Sequence, residues 1–559
     1  MKRWVGLSLI VLAVACSATD RKADRLLLGG IVHTEAGVRR AAVAIGGGRV
    51  LALVEAEDVE GWVGPETEVV ELDGGHVLPG LIDSHLHLTG FGTSLEQVDC
   101  SGAGSWAEVV LRAVRGARGL PPGAWVEGRG WDQNLWTEKA FPDRAELDRK
   151  IDEHPVLLRR VDGHAAVANA RALALAGIAR DTPDPPGGRI LRRPDGEPSG
   201  VLLDTAVGLV RDVVPPAGPD DIERRILRAC DYLVEVGLTH IHEPGTAAAE
   251  LAVLRRLAAA GRLPVRVYVF LDGDDPELLD RELARGPDLE PGAMLRVGGV
   301  KLYADGALGS RGALLGDDYH DDPGNRGLAV TSPERLRSVA GRASRAGFQV
   351  AIHAIGDEAV HRVLGVYDSL GAETSSRLRH RVEHSQTVRP ADVQRFARLG
   401  LVASVQPTHC TSDMPWAPDR LGPERIGWAY RWRSLAAAGA RLAGGSDAPV
   451  EDPDPRRGLH AAVTRQQPGG MPPGGWNPAE RVDREQAIEL FTTGGALAAH
   501  AESWCGAVAP GFVADLTVVG CDPIGCDPER LLHMNVLRTI VGGEDRYVVD
   551  DGAAAGGAA

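Results

Sequence analysis

Lysine is almost missing from this 559-residue chain: Lys2, Lys22, Lys139, Lys150 and Lys301 are its five, so nearly all of the 61 Lys+Arg residues are arginine. Acidic residues outnumber them at 77, for a formal net charge of −16, and they are spread along the chain. Nucleic acids and anionic surfaces bind Lys/Arg-rich faces, so this balance excludes them as partners and leaves small molecules as the default. The seven cysteines show neither metal-finger spacing nor a dense disulfide framework; only Cys521 and Cys526 are candidates to pair, in an oxidising compartment. No internal repeat is present. The apolar stretch from Trp4 to Val14 falls short of the roughly 20 residues that a mature spanning helix needs.

What is there has globular proportions, 44% hydrophobic and 25% charged, in a chain long enough for one large domain and a smaller one. The start reads as a targeting segment, with Lys2 and Arg3 ahead of the apolar stretch and small residues around Cys16. It resembles a bacterial lipoprotein signal, residues 1–16, in which Cys16 becomes the lipidated first residue; ordinary secretion with cleavage nearby is the alternative. Export and lipid anchoring to the cell envelope, on the periplasmic or cell-surface side, are therefore expected. Short β-rich runs and turns fill residues 25–78 and return at 505–550, neither piece long enough to bury a core alone, so the two are read as one composite β-sandwich. Between them, residues 79–504 alternate apolar strands with Ala/Leu/Arg-rich helical stretches, the pattern of an α/β class parallel (β/α)8 TIM-like barrel. Residues 124–205 fit no barrel unit and form an insertion after the first strand. The tail 551–559 is low-complexity and is expected to be disordered.

The polar residues fall at the ends of the apolar runs: "HVLPGLIDSHLH", "GLTHIHEPG", "VRVYVFLDG", "RVGGVKLYADG", "FQVAIHAIGD", "RHRVEHSQ", "LVASVQPTH" and "RLAGGSDAP". The C-terminal strand ends of such a barrel converge on one mouth, where sites are built. His85 and His87, two apart, point to one face of a strand, and two neutral imidazoles entering a mouth together suit a divalent metal. His353, His384 and Asp447 close later runs at the same relative place. A buried core histidine explains any one of these; it does not explain the series. Lys301 also closes an apolar run, in a chain that otherwise writes positive charge as arginine.

In "LPGLIDSHLH", "GWDQNLW", "DGHAAVANARAL", "VKLYADGALGSRGA", "IHAIGD", "RVEHSQ", "GGSDAPV" and "PGFVADLTVV", taken in order from about residue 25 to about residue 550, the chain resembles the amidohydrolase superfamily, specifically its family 3, the N-substituted formamide deformylase-like branch. The resemblance implies a metal-dependent hydrolase barrel with a composite sandwich, and one or two divalent ions, zinc the expected metal. It implies His85 and His87 as ligands of one ion and His353 and His384 as ligands of a second. It implies Asp447 as a metal ligand and as the catalytic general base. Lys301 is implied as a carbamate bridging the ions, a chemistry open to an amine and closed to a guanidinium; the competing reading is an ion pair with Asp305. In the insertion, Trp131, Asp132 and His164 are implied as substrate-binding residues. His240 and His242 match no ligand position and read as core or supporting residues.

The leading function is hydrolysis of a carbon–nitrogen bond in a small N-acyl or N-formyl amide. The alternatives are a deaminase or cyclic-amide or ester hydrolase on the same barrel, and a noncatalytic binding lipoprotein. The assembly is open between monomer and homodimer.

Overall fold

The computed structural model describes residues 22–160, 165–185 and 188–549. The expected signal segment with Cys16 and the expected disordered tail lie outside the described residues. Two units divide the chain: one takes residues 22–87, 230–248 and 258–549, the other Leu88–Ala229 with Ala249–Leu257.

The first unit is built on eight strands: β1 (Leu81–Asp83), β2 (Leu238–Thr246), β3 (Arg266–Asp272), β4 (Leu295–Tyr303), β5 (Gln349–Ala354), β6 (Arg381–His384), β7 (Val402–Val405) and β8 (Arg441–Gly444). They pair in chain order and in parallel. Each of the eight apolar runs holds one barrel strand, the first run also holding the sandwich strand His76–Pro79, because parallel strands covered on both faces are apolar nearly throughout. Between β8 and β1 the sheet is drawn together where the Ser84 N–H donates to the Gly444 carbonyl (2.9 Å) and the Asp447 N–H to the His85 carbonyl (2.7 Å). The helices between strands follow local rules. Over Pro333–Arg345, Ser332 caps the first turn by accepting from the Arg335 N–H, and proline takes the first position. Leu336, Val339, Ala340 and Ala343 then bury one stripe at helical spacing. Gly347, with φ +87°, supplies the left-handed turn into β5.

The chain ends fold together. Val536–Val541 and Leu516–Val519 from the C-terminal part continue a sheet with His76–Pro79, Ile31–Thr34 and Gly37–Arg40 from the N-terminal part. A second sheet of Arg25–Leu28, Ala42–Gly46, Arg49–Val54 and Glu68–Glu71 packs on it through Val32, Val77, Leu516 and Val518 against Leu27 and Val43. Barrel and composite sandwich are thus as expected from the sequence. Cys521 and Cys526, the two candidates to pair, are free thiols here. Burial, with the neighbouring Cys526, pushes the Cys521 thiol up to about 11, away from the thiolate that disulfide chemistry needs.

The second unit carries its own six-stranded sheet, in the order Gly188–Arg192, Pro198–Asp204, Ala165–Ala168, Val156–Arg160, Val126–Trp131, Val98–Asp99. It is wider than the expected 124–205 because the helix Trp106–Gly116 buries Val109, Val110 and Ala113 against the same core as Val126 and Leu158. Among the described residues, no helix is long and apolar enough to cross a membrane.

Candidate active site

The strand ends place six predicted residues around one cavity of ≈410 Å³: His85, His87, Lys301, His353, His384 and Asp447. His85 and His87 lie in the bend just after β1 rather than on the strand itself. The segment is still held extended, with the Leu86 N–H donating to the His242 carbonyl (3.0 Å) and the His87 N–H to the Ala448 carbonyl (2.9 Å). Both rings therefore converge, each Nε2 standing 3.4 Å from Asp447 Oδ1.

Asp447 sits in the turn after β8 in the left-handed region, φ +60°, and His384 ends β6 at φ +69°. Non-glycine residues in that region store strain, which the surrounding hydrogen bonds must hold, and such residues cluster at functional sites. Gly445 makes the approach possible: a Cβ there would lie 2.6 Å from the His85 nitrogen and 2.7 Å from Asp83 Oδ1. Asp83 ties the two strand ends, accepting from the His85 N–H (3.0 Å) and the Ser446 N–H (3.1 Å), and burial raises its carboxyl to about 7.

Electrostatics prepare these side chains as ligands. Burial pushes the imidazoles of His85 to about 4 and His353 to about 3, with the Lys301 charge adding to both, and holds His384 well below its usual value. All three are neutral near pH 7, the form that binds metal. Burial alone would raise Asp447, but the hydrogen bond from His87 and the electrostatic influence of the His85, His384 and His409 rings outweigh it and hold the carboxyl well below its usual range, so it is ionised.

Lys301 is 1% exposed and burial pushes its amine down to about 8. Its Nζ lies 3.5 Å from His85 Nε2 and 5.0 Å from the centre of the Tyr303 ring. The ion pair with Asp305 is not formed, because the Asp305 carboxylate accepts from the Leu314, Ile355 and Gly356 N–H groups at 2.8, 3.1 and 2.8 Å.

Three site residues were missed as functional in the sequence. Glu383, beside His384 on β6, accepts from His85 Nδ1 in a short contact and pairs with Arg381 Nε at 2.7 Å. That bond leaves His85 Nε2 free to bind metal, the usual role of a carboxylate behind a ligating histidine. Arg381 also donates to His242 Nδ1 (3.0 Å), so His242 is a support for the site and His240, buried beside Cys505, is core. His409, from the helix Pro407–Asp413 after β7, lies 5.9 Å from His384 ring to ring, nearly parallel, with Nε2 3.8 Å from Asp447 Oδ2. Its signal was present in "LVASVQPTH", whose last residue it is.

The insertion residues belong to the second unit. Trp131 is fully buried in the core of its own unit, donating its indole N–H to the Leu158 carbonyl (2.8 Å) and stacking on Trp136. Asp132 is paired with Arg160 at 2.6 Å. His164 lies outside the described residues.

A divalent ion fits the barrel residues. Ligand atoms of His85, His384 and Asp447, all buried, lie within 4.8 Å of one another, and His384 Nδ1 and His409 Nε2 are buried without a hydrogen-bond partner. Imidazole and carboxylate together suit zinc-class ions.

Fold and site together define a metal-dependent hydrolase barrel. The chain belongs to the Amidohydrolase family, whose profile matches residues 68–547, and it is a hydrolase of carbon–nitrogen bonds. It is 31% identical over 525 residues to the N-substituted formamide deformylase of Arthrobacter pascens, covering 90% of this chain and 94% of that one. It is 36% identical over 547 residues to the protein LONG AFTER FAR-RED 3 of Arabidopsis thaliana, over 94% and 92% of the two chains. An uncharacterized metal-dependent hydrolase from Pyrococcus horikoshii superposes with a TM-score of 0.76 at 31% identity, over 90% of this chain and 99% of that one.

Proposed function

We propose that this chain hydrolyses the amide bond of a small N-acyl or N-formyl amine, with zinc as its metal and Asp447 as the proton carrier. The observation that carries this is the convergence of His85, His87, His353, His384 and an ionised Asp447 on one small cavity. His85, His384 and Asp447 form the compact ligand set, with His87 alongside; His353 and Lys301 are available to a second ion. A bound divalent ion supplies a polarised carbonyl and a more acidic water. Asp447 takes a proton from the attacking water and delivers it to the leaving nitrogen, so that a C–O bond forms, the C–N bond breaks, and acid and amine leave. Leu308, Ile355, Trp416 and Val450 give the cavity an apolar wall for an acyl or aryl group, and Gln386 and Asp413 a polar one. The likeness to the deformylase supports the N-formyl end of this range.

Lys301 is proposed to be carbamylated: the neutral form of its buried amine adds carbon dioxide and loses a proton, giving a carbamate anion in place of the cation beside His85. Its burial, its lowered pKa and the engagement of Asp305 by backbone N–H groups instead of by the lysine support this. Assaying zinc-loaded protein against N-formyl and N-acyl amines, cyclic amides, esters and aminopurines tests the substrate class. Amine release from the acyclic amides is the expected result; turnover confined to aminopurines or esters overturns it.

A further inference from the structure

Outside the barrel, a second group of metal-binding side chains lies on the outer face of the sandwich. Val32 and Val77 point into the core, so His33, one residue on, and His76, one residue back, face the other way on neighbouring strands. His33 Nε2 stands 2.9 Å from His76 Nδ1, and ligand atoms of both rings and of Asp522 lie within 4.8 Å of one another. Asp522 is held in the turn after Leu516–Val519, where its Oδ1 accepts from the Ile524 N–H (2.9 Å) and its carbonyl from the Cys526 N–H (3.0 Å). Gly525 leaves room for the carboxylate, since a Cβ there would come within 2.7 Å of Oδ2.

A simple hydrogen bond between the two rings is an incomplete account of this cluster. His33 is 6% exposed and its Nδ1 has no partner among the described residues. The bond between the rings also leaves Asp522 out: neither ring donates to its carboxylate, although ligand atoms of all three groups converge. A cation takes lone pairs from both rings at once, and bound to two imidazole nitrogens at tetrahedral geometry it would set them about 3.3 Å apart, a small opening from what is seen. The cavity adjoining His33 favours a cation, being lined by Glu35, Glu485 and Glu489 and by no lysine or arginine, and at His76 the Asp522 charge outweighs the opposing charge of Arg40. Burial, and the mutual influence of the rings, lower the pKa of His33, and burial lowers that of His76, which keeps both neutral and able to coordinate.

We propose that His33, His76 and Asp522 form a second zinc-class site, separate from the barrel, that ties the N-terminal strands of the sandwich to its C-terminal turn. The claim is independent of the substrate reading.

The test is zinc content after loading and dialysis into metal-free buffer, with thermal unfolding alongside. His76→Ala and Asp522→Asn, both at partly exposed positions, should each hold one zinc fewer per chain than wild type, keep its turnover, and lose part of the midpoint gain that zinc confers. Conversely, His85→Ala/Asp447→Ala should keep one zinc, and adding His76→Ala should remove it. Equal zinc content and equal midpoint gain in wild type and His76→Ala, or a zinc-free His85→Ala/Asp447→Ala protein, would overturn the assignment.

Discussion

Each ligand at the barrel mouth depends on a neighbour that holds it. Glu383 accepts from His85 Nδ1 and is itself fixed by Arg381, so Glu383→Gln should leave the fold intact but weaken metal binding by about 10- to 100-fold, the range found for such supporting partners. Equilibrium dialysis with zinc measures this; unchanged affinity would show that Glu383 only fills space. Lys301 separates charge from chemistry. If it carries carbon dioxide, Lys301→Arg should be inactive and metal-poor although the charge is kept, and Lys301→Ala should regain part of its activity with added formate or acetate. Carbamylation starts from the neutral amine, whose share grows as pH rises through about 8, so carbon dioxide loading should increase across that range. An active Lys301→Arg enzyme with its metals in place refutes the carbamate. The residues that gather at the mouth were legible because each closes an apolar run. Glu383 and Arg381 were not, although both stand in "RVEHSQ": what they do depends on His85, which is 298 positions away in sequence.

At the scale of elements, the same runs were legible as strands because a parallel sheet covered on both faces leaves only the strand end for polar residues. The insertion was harder. An aromatic residue in such a segment reads equally as a binding wall or as core, and Trp131 is core because the inserted sheet has its own helix to pack against. The seam between β1 and β8 depends on glycine at 445, where a Cβ would collide with the His85 backbone. Since backbone cannot move aside as a side chain can, Gly445→Ala should separate His85 from Asp447 and cost at least tenfold in kcat/KM, more than its effect on the unfolding midpoint suggests. Wild-type kcat/KM in Gly445→Ala would mean that the two strand ends tolerate a wider gap than the site geometry requires.

For the whole molecule, both chain ends build one sandwich beside a barrel whose mouth holds the chemistry. Export is a further proposal, resting on Lys2, Arg3, the apolar stretch and Cys16; labelling cells with a fatty-acid analogue should mark the protein, and an unlabelled soluble product would count against lipid attachment at Cys16. The central claim is that an ionised Asp447 among neutral imidazoles carries the proton from water to the leaving nitrogen. Asp447→Asn keeps the size of the side chain and removes the proton acceptor. The decisive measurement is the turnover of zinc-loaded Asp447→Asn against wild type on the best N-formyl or N-acyl amine, with metal content determined on the same samples. A loss of about 10²- to 10⁴-fold in kcat is predicted, the range of a general acid–base step; near wild-type turnover in the variant would contradict the mechanism.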